Sequence, residues 1–139
     1  MTRGAEGIGL YHREMSLGFV PAYQSAPIPY CTASIQIPNS GSTPFLIELP
    51  YVSNWFAFIN EGTGTVRLGF SENGINGTEN NNWVPIEPGL EFSAFAKIKD
   101  IYLLSNCATD DATGSFFAGV TGIKRVNLPG NWSGSAGIG

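Results

Sequence analysis

Asn54-Trp55-Phe56-Ala57-Phe58-Ile59-Asn60 is apolar at every position between its two asparagines. Successive side chains of a strand point to opposite faces, so Trp55, Ala57 and Ile59 share one face and Phe56 and Phe58 the other. A strand that is apolar on both faces is covered on both. One face therefore packs a sheet interior, and the other is expected to meet an arm or another subunit. Outward from this stretch the same grammar repeats. Gly62-Thr63-Gly64 turns the chain into Thr65-Val66-Arg67-Leu68-Gly69-Phe70, where Val66, Leu68 and Phe70 alternate with Thr65, Arg67 and Gly69. That alternation marks a half-exposed strand. A loop holding two Asn-Gly pairs leads to Trp83-Val84-Pro85-Ile86, and the Pro88-Gly89 turn leads to Leu90 through Ala96. Asp100 to Leu104 and Ser115 to Thr121 close the series, while Thr32 to Ile37 and Pro44 to Leu49 open it. Short strands separated by turn residues predict an all-β chain: a single antiparallel jelly-roll sandwich of about eight strands, the number that two Greek keys need. No segment offers a convincing amphipathic helix. Lys97 to Leu104 has some helical character, but Ile98, Ile101 and Tyr102 suit a strand better.

The 139 residues fit one domain with a self-sufficient core. Composition divides them into three zones: an extended N-terminal arm over 1–29, the strand zone over 30–123 and a C-terminal tail over 124–139. The N-terminal arm carries Gly and Pro throughout, which prevents a stable helix. It also carries Tyr11, Phe19 and Tyr23, more aromatics than a free tail would hold. Trp132 in the C-terminal tail is costly to leave in water. Charged residues are 13 % of the chain, about half the usual share. So few charges imply a surface largely covered by partner chains. The candidate subunit-interface residues are Tyr11, Phe19, Tyr23, Phe56, Phe58 and Trp132.

Net charge is −4, and the close basic groups are the pairs Lys97/Lys99 and Lys124/Arg125. That is no stripe for a phosphate backbone, so direct nucleic-acid binding is not expected. Cys31 and Cys107 are far apart and in no metal-like spacing; the expectation is two reduced, buried thiols. No apolar run is long enough to span a bilayer, and the N-terminal zone has no signal-peptide core, which places assembly in a reducing cytoplasm.

The strand zone has no histidine, because the chain's one histidine is His12. This removes cupin-type metal sites, zinc and histidine-based nucleophilic triads from that zone. Glu48, Glu61, Glu72, Glu79, Glu87, Glu91 and Asp100 are mostly in turns. Glu91 is mid-strand but outward by alternation, so no facing carboxylate pair of glycosidase type is offered. Asp110-Asp111 lacks the repeated oxygen spacing that calcium needs. Gly62 and Gly64 lead into a strand rather than a helix N-terminus, so they cradle no phosphate. No catalytic, cofactor-binding or metal residue is assigned, and no enzymatic activity is expected.

The segments Trp55 to Asn60, Val66-Arg67-Leu68-Gly69-Phe70-Ser71-Glu72-Asn73-Gly74-Ile75, Val84 to Gly89, Ile101 to Leu104 and Phe117 to Ile123 resemble small single jelly-roll capsid proteins of large icosahedral DNA viruses. In particular, they are similar to the penton (vertex) proteins of the giant-virus lineage, over roughly residues 45–123. The resemblance implies five copies about each fivefold axis, in contact with major and minor capsid proteins of the virion. It implies terminal extensions that reach neighbours, and neither catalysis nor a cofactor. The competing expectation is a jelly-roll binding module, either a glycan-binding lectin or a virion decoration or fibre-base protein. Trp83 and the loop 73–82 would then face the ligand.

Overall fold

The structure, a computed structural model, describes residues 28–76 and 81–128. Its elements are β1 (Ile28–Ile37), β2 (Phe45–Asn60), β3 (Val66–Gly69), α1 (Glu72–Asn76), β4 (Trp83–Ile86), β5 (Glu91–Ala94), β6 (Ile98–Ser105), β7 (Ala112–Lys124) and a 3-10 turn (Arg125–Asn127). Every strand pair is antiparallel. The fold is all-β, as the alternation predicts. Strand pairing begins at Ile28 and ends at Lys124, slightly wider than the predicted strand zone.

β2 organises the molecule. The segments Pro44 to Leu49 and Asn54 to Asn60, read as two strands, are halves of one sixteen-residue strand. Its first half pairs with β6, from Phe45 opposite Leu103 to Glu48 opposite Asp100. Its second half pairs with β7 on one side and β5 on the other, Phe56 lying opposite Ala118 and Ala94. Between the halves the register shifts, and Pro50 and Tyr51 are exposed. A bulge adds a residue and so inverts which parity faces inward. Ile47 and Leu49 are buried before it, Phe56 and Phe58 after it. Pro50 fits here because a bend releases it from donating to a ladder. The pairing therefore falls into two layers that share β2: β1–β7–β2 (second half)–β5 and β2 (first half)–β6–β3–β4.

One core fills the space between the layers. Phe56 lies at its centre, its ring 6.1 Å from Phe116, 6.0 Å from Phe92 and 6.1 Å from Phe70. Phe116 and Phe92 belong to the first layer, while Phe70 follows β3 in the second. Ile47, Leu68, Ile101 and Leu103 complete the second layer's inner face. Close approach is strictest at Gly114. A Cβ there would stand 2.6 Å from Phe58 Cε1 and 2.8 Å from the Ile59 carbonyl oxygen, so only glycine fits.

Register defines two ends. Ile28, Val120 and Ser53 form a row at one end, and Ile37 opposite Ala112 and Asn60 opposite Gly114 mark the other. The connections 38–44, 61–65, 87–90 and 106–111 all gather at the second, which we call the turn end. The β2 bend, α1, the β5–β6 connection, the start of β1 and the 3-10 turn gather at the first, the tail end.

α1 was not foreseen. Ser71 caps it, its hydroxyl accepting from the Gly74 N–H at 3.0 Å. The helix carries the fully buried Ile75 onto the outer face of the second layer, against Gly69.

Candidate functional site

Among the described residues no group of three or more His, Cys, Asp or Glu is placed to hold a metal ion. Three carboxylates of the turn end, Asp111, Glu61 and Glu87, are engaged in holding turns. Asp111 accepts from Gln36 Nε2 and the Asn39 N–H, each at 3.1 Å. Glu61 accepts from Ser115 Oγ at 2.8 Å, and Glu87 from Thr65 Oγ1 at 3.1 Å. Glu91 is exposed and outward, as alternation predicts. At the tail end Arg125 donates to Asp100 Oδ1 at 2.9 Å and to the carbonyls of Leu49 and Lys99 at 2.9 and 2.7 Å; Glu48 lies 3.6 Å away. Lys99 in turn donates to the Leu128 carbonyl at 2.9 Å. These contacts fasten the last described residues to the sandwich.

Both thiols are free, but the expectation of burial fails. Cys31 is exposed on β1, and Cys107 is half-buried in the β6–β7 loop. Hydrogen bonds from the Thr109 N–H, then the Thr109 hydroxyl, then the Asp110 N–H pull the Cys107 thiol below its ordinary pKa. Burial raises the Tyr102 phenol, and the charges of Asp100, Glu72 and Glu48 add to that, against Arg125.

Trp83 is used within the chain. Arg67 lies over its ring at 4.8 Å and donates to the carbonyls of Ile75 and Asn76 and to Asn106 Oδ1. Trp83 Nε1 is enclosed, with no acceptor among the described residues. The ring thus packs the β3–β4 connection instead of standing as an open stacking platform.

The apolar surface is the remaining candidate, and here one expectation is corrected. Phe56 and Phe58, assigned to a subunit interface, are 0 % exposed and enclosed by the chain's own core. Alternation shows that the two faces of this strand differ, but not which one turns inward; the bulge in β2 decides that. The outer face of the first layer carries Trp55, Ala57 and Ile59 of β2 beside Phe117 of β7 and Cys31 of β1. Phe117 is 41 % exposed and Ile59 42 %, while the small Ala57 lies almost covered between them. Trp55 stands edge-on to Phe117 at 5.4 Å. Tyr11, Phe19, Tyr23 and Trp132 lie outside the described residues.

A second exposed apolar group sits at the tail end, where Phe95 is 87 % and Val126 81 % exposed, with Ile28 and Tyr51 also exposed. The four turn-end connections contain Glu61, Glu87, Asp110 and Asp111 and no basic residue, whereas the tail end mixes Lys97, Lys99, Lys124 and Arg125 with Glu48, Glu72 and Asp100. Among the described residues no helix is long and apolar enough to cross a membrane. No protein-family model matches this chain, and no curated protein matches it.

Proposed function

We propose that this chain is a structural protein of a viral capsid, a penton protein that closes a ring of five copies at each icosahedral vertex and contacts major and minor capsid proteins in the virion. The observation that carries the reading is the outer face of the first layer. There Trp55, Ile59 and Phe117 remain partly exposed on a chain whose charge content is about half the usual. A contiguous apolar patch of this kind marks an interaction surface. Strand order supports the same reading. Counted with β2 as two segments, β1–β7–β2–β5 facing β2–β6–β3–β4 is the interleaving that two Greek keys generate, and we read it as a jelly roll. A heterologous contact repeated about a rotation axis closes a ring without self-complementary patches, the outer face of one copy meeting a different surface of the next. No catalytic step enters this reading. Asp111, Glu61 and Glu87 hold turns, and Asp100 holds the C-terminal segment through Arg125.

Native mass spectrometry of the purified full chain tests it. The expected species is a pentamer, or a coassembly with a major shell protein. A sharp monomer at micromolar concentration overturns the reading.

A further inference from the structure

The first layer has two open edges. Among the described residues β1 pairs only with β7, and β5 only with β2, so the far side of each strand has no ladder partner. Natural edges are blunted by charge, by brevity or by bulges. β5 is four residues long and carries Glu91. β1 has ten residues and no charge, and only Pro29 and the register slip between Thr32 and Ile35 interrupt it. Strand polarity restricts the partner. Successive strands across β1–β7–β2–β5 are antiparallel, so β5 runs opposite to β1. Two copies standing with the same end up therefore present β5 of one to β1 of the next as an antiparallel pair. An antiparallel pairing of β1 with β1 requires one copy to be inverted.

We propose that β5 of one copy pairs with β1 of the next, continuing the first layer from copy to copy, with Phe95 seated in a hollow beside β1. The proposal names the contact within the ring and rests on the assembly reading for the presence of neighbours. Backbone groups are open on both sides. The Leu90 carbonyl accepts from the Asn60 N–H, and the Ala96 N–H donates to the Asn54 carbonyl. Even-numbered residues thus bond β2, and Glu91, Ser93 and Phe95 turn their N–H and carbonyl groups to the open side. An edge strand tolerates proline with its nitrogen toward the open side, and two residues beyond Pro29 Cys31 directs its N–H and carbonyl the same way. The side chains agree. Ala94 and Ala96 pack on the core, which leaves Phe95 on the outer face, 87 % exposed. On the same face the register slip in β1 opens a hollow of about 180 Å³, lined by Cys31, Ala33, Ala57, Ile59 and Phe117. An apolar cavity of about 150 Å³ holds one benzene ring, so one phenyl side chain fits. Phe95 set opposite a neighbour's Cys31 brings its ring there, and β1 offers no charge to repel Glu91.

Phe95→Cys in full-length chain carrying Cys107→Ser tests the pairing. Hydrogen-bonded residues opposed in an antiparallel pair lie about 5.5 Å apart at Cα, within disulfide range. At assembling concentrations, oxidation is expected to link position 95 of one copy to Cys31 of another, read on a non-reducing gel and by peptide mapping. Val126→Cys in the same background, exposed to a similar degree, is expected to give no such link. Ser93→Pro removes one outward N–H and spares the bonds to β2. It is expected to keep the parent's Tm and to weaken assembly at least about tenfold, the weight of one backbone hydrogen bond left unmade. A Phe95→Cys chain that links only within monomers, or not at all, overturns the proposal. Cys31-to-Cys31 linkage in the Cys107→Ser chain also overturns it, because β1 edges then pair with each other. Undiminished assembly of Ser93→Pro at the parent's Tm overturns it as well. Links from position 95 to Cys31 in assemblies other than pentamers uphold this inference and sink the vertex reading, whereas pentamers without them do the reverse.

Discussion

The turn end and the tail end of this sandwich solve different problems. The turn end closes on itself. The Ser40 N–H donates to the Cys107 carbonyl, Ser105 to Pro38, Asn106 to Thr65 and Gly89 to Asn60, all between 2.8 and 2.9 Å. Four connections are thereby tied into one cap by their own backbones, with carboxylates pinning the turns. The tail end is tied by fewer and longer backbone bonds, the Ala96 N–H donating to the Asn54 carbonyl and the Asn82 N–H to the Gly74 carbonyl, both at 3.2 Å. Ser53 Oγ and Thr121 Oγ1 add bonds to the carbonyls of Ala96 and Val52, Arg125 and Lys99 hold the last described residues, and Phe95 and Val126 stay in water. Backbone groups that bond one another need no partner, whereas apolar side chains in water gain by acquiring one. Stability is therefore concentrated at the turn end, and the tail end is where further chain segments or neighbours have most to add.

The sharpest way to break this contrast is to remove the hub of the turn end. Asn60 is fully buried; its amide donates to the carbonyls of Gly64 and Ile86 at 2.8 Å each and accepts from the Gly62 N–H at 3.0 Å. Asn60→Leu strands those three groups, and with each orphaned buried group costing about 1–3 kcal/mol the loss is expected near ~4 kcal/mol by urea denaturation. Next in size is Gly114→Ala, directly opposite Asn60 on β7, where the new methyl meets Phe58 and the Ile59 carbonyl. Overpacking against backbone is expected to cost about 1–3 kcal/mol. If both variants melt like the parent, stability does not reside at this end.

The tail end is expected to yield less. Arg125→Met removes its bonds to Leu49, Lys99 and Asp100, at a cost of about 2 kcal/mol for partly exposed charge-assisted bonds. Limited proteolysis checks the consequence, with cleavage after residue 124 expected to accelerate. The double change Phe95→Ser with Val126→Ser is expected to move monomer stability by less than about 0.5 kcal/mol, because neither side chain is covered. Oligomer formation, read by sedimentation, is where that double change is expected to act. A large drop in Tm instead shows that the segments outside the described residues already shelter these side chains.

The legibility of the sequence divides along the same lines. Turn chemistry is local, so the turn end was readable. Pro88-Gly89 announces a turn with a positive φ at its third position, and Gly89 has φ 79° with the Leu90 N–H bonded to the Glu87 carbonyl at 3.1 Å. The strands were readable from period two. What period two does not carry is absolute phase. The bulge in β2 turns Phe56 and Phe58 inward and leaves Ile59 outside, and the bulge in β1 likewise brings Ile35 and Ile37 inside after Cys31 outside. Both shifts are set by pairing with distant strands. α1 had a signal, Ser71 followed by Glu72 at a helix start, but five residues with a single buried large apolar side chain, Ile75, give no periodicity to detect. The hollow on the first layer's outer face between Cys31 of β1, Ala57 of β2 and Phe117 of β7 was invisible because three strands separated by tens of residues build it.

The smallest expected effect is a pH dependence confined to the tail-end half. Tyr102 lies on β6 with its phenol raised above its usual value near 10, first by burial and then by Asp100, Glu72 and Glu48, with Arg125 opposing. The folded chain therefore holds this proton to higher pH than the unfolded chain does. Above about pH 10 the unfolded state ionises first, so it binds fewer protons and unfolding becomes easier as pH rises. Tyr102→Phe removes that titration. Its stability is expected to fall less steeply than the parent's between the unfolded and folded pKa values, with little difference between them near neutrality. Parallel curves through the alkaline range would mean that the three carboxylates are screened from Tyr102 and that the tail end is more open to water than its contacts imply. The matched control is Asp111→Asn at the turn end, which alters a carboxylate with no tyrosine among its hydrogen-bond partners and is expected to leave the alkaline slope unchanged.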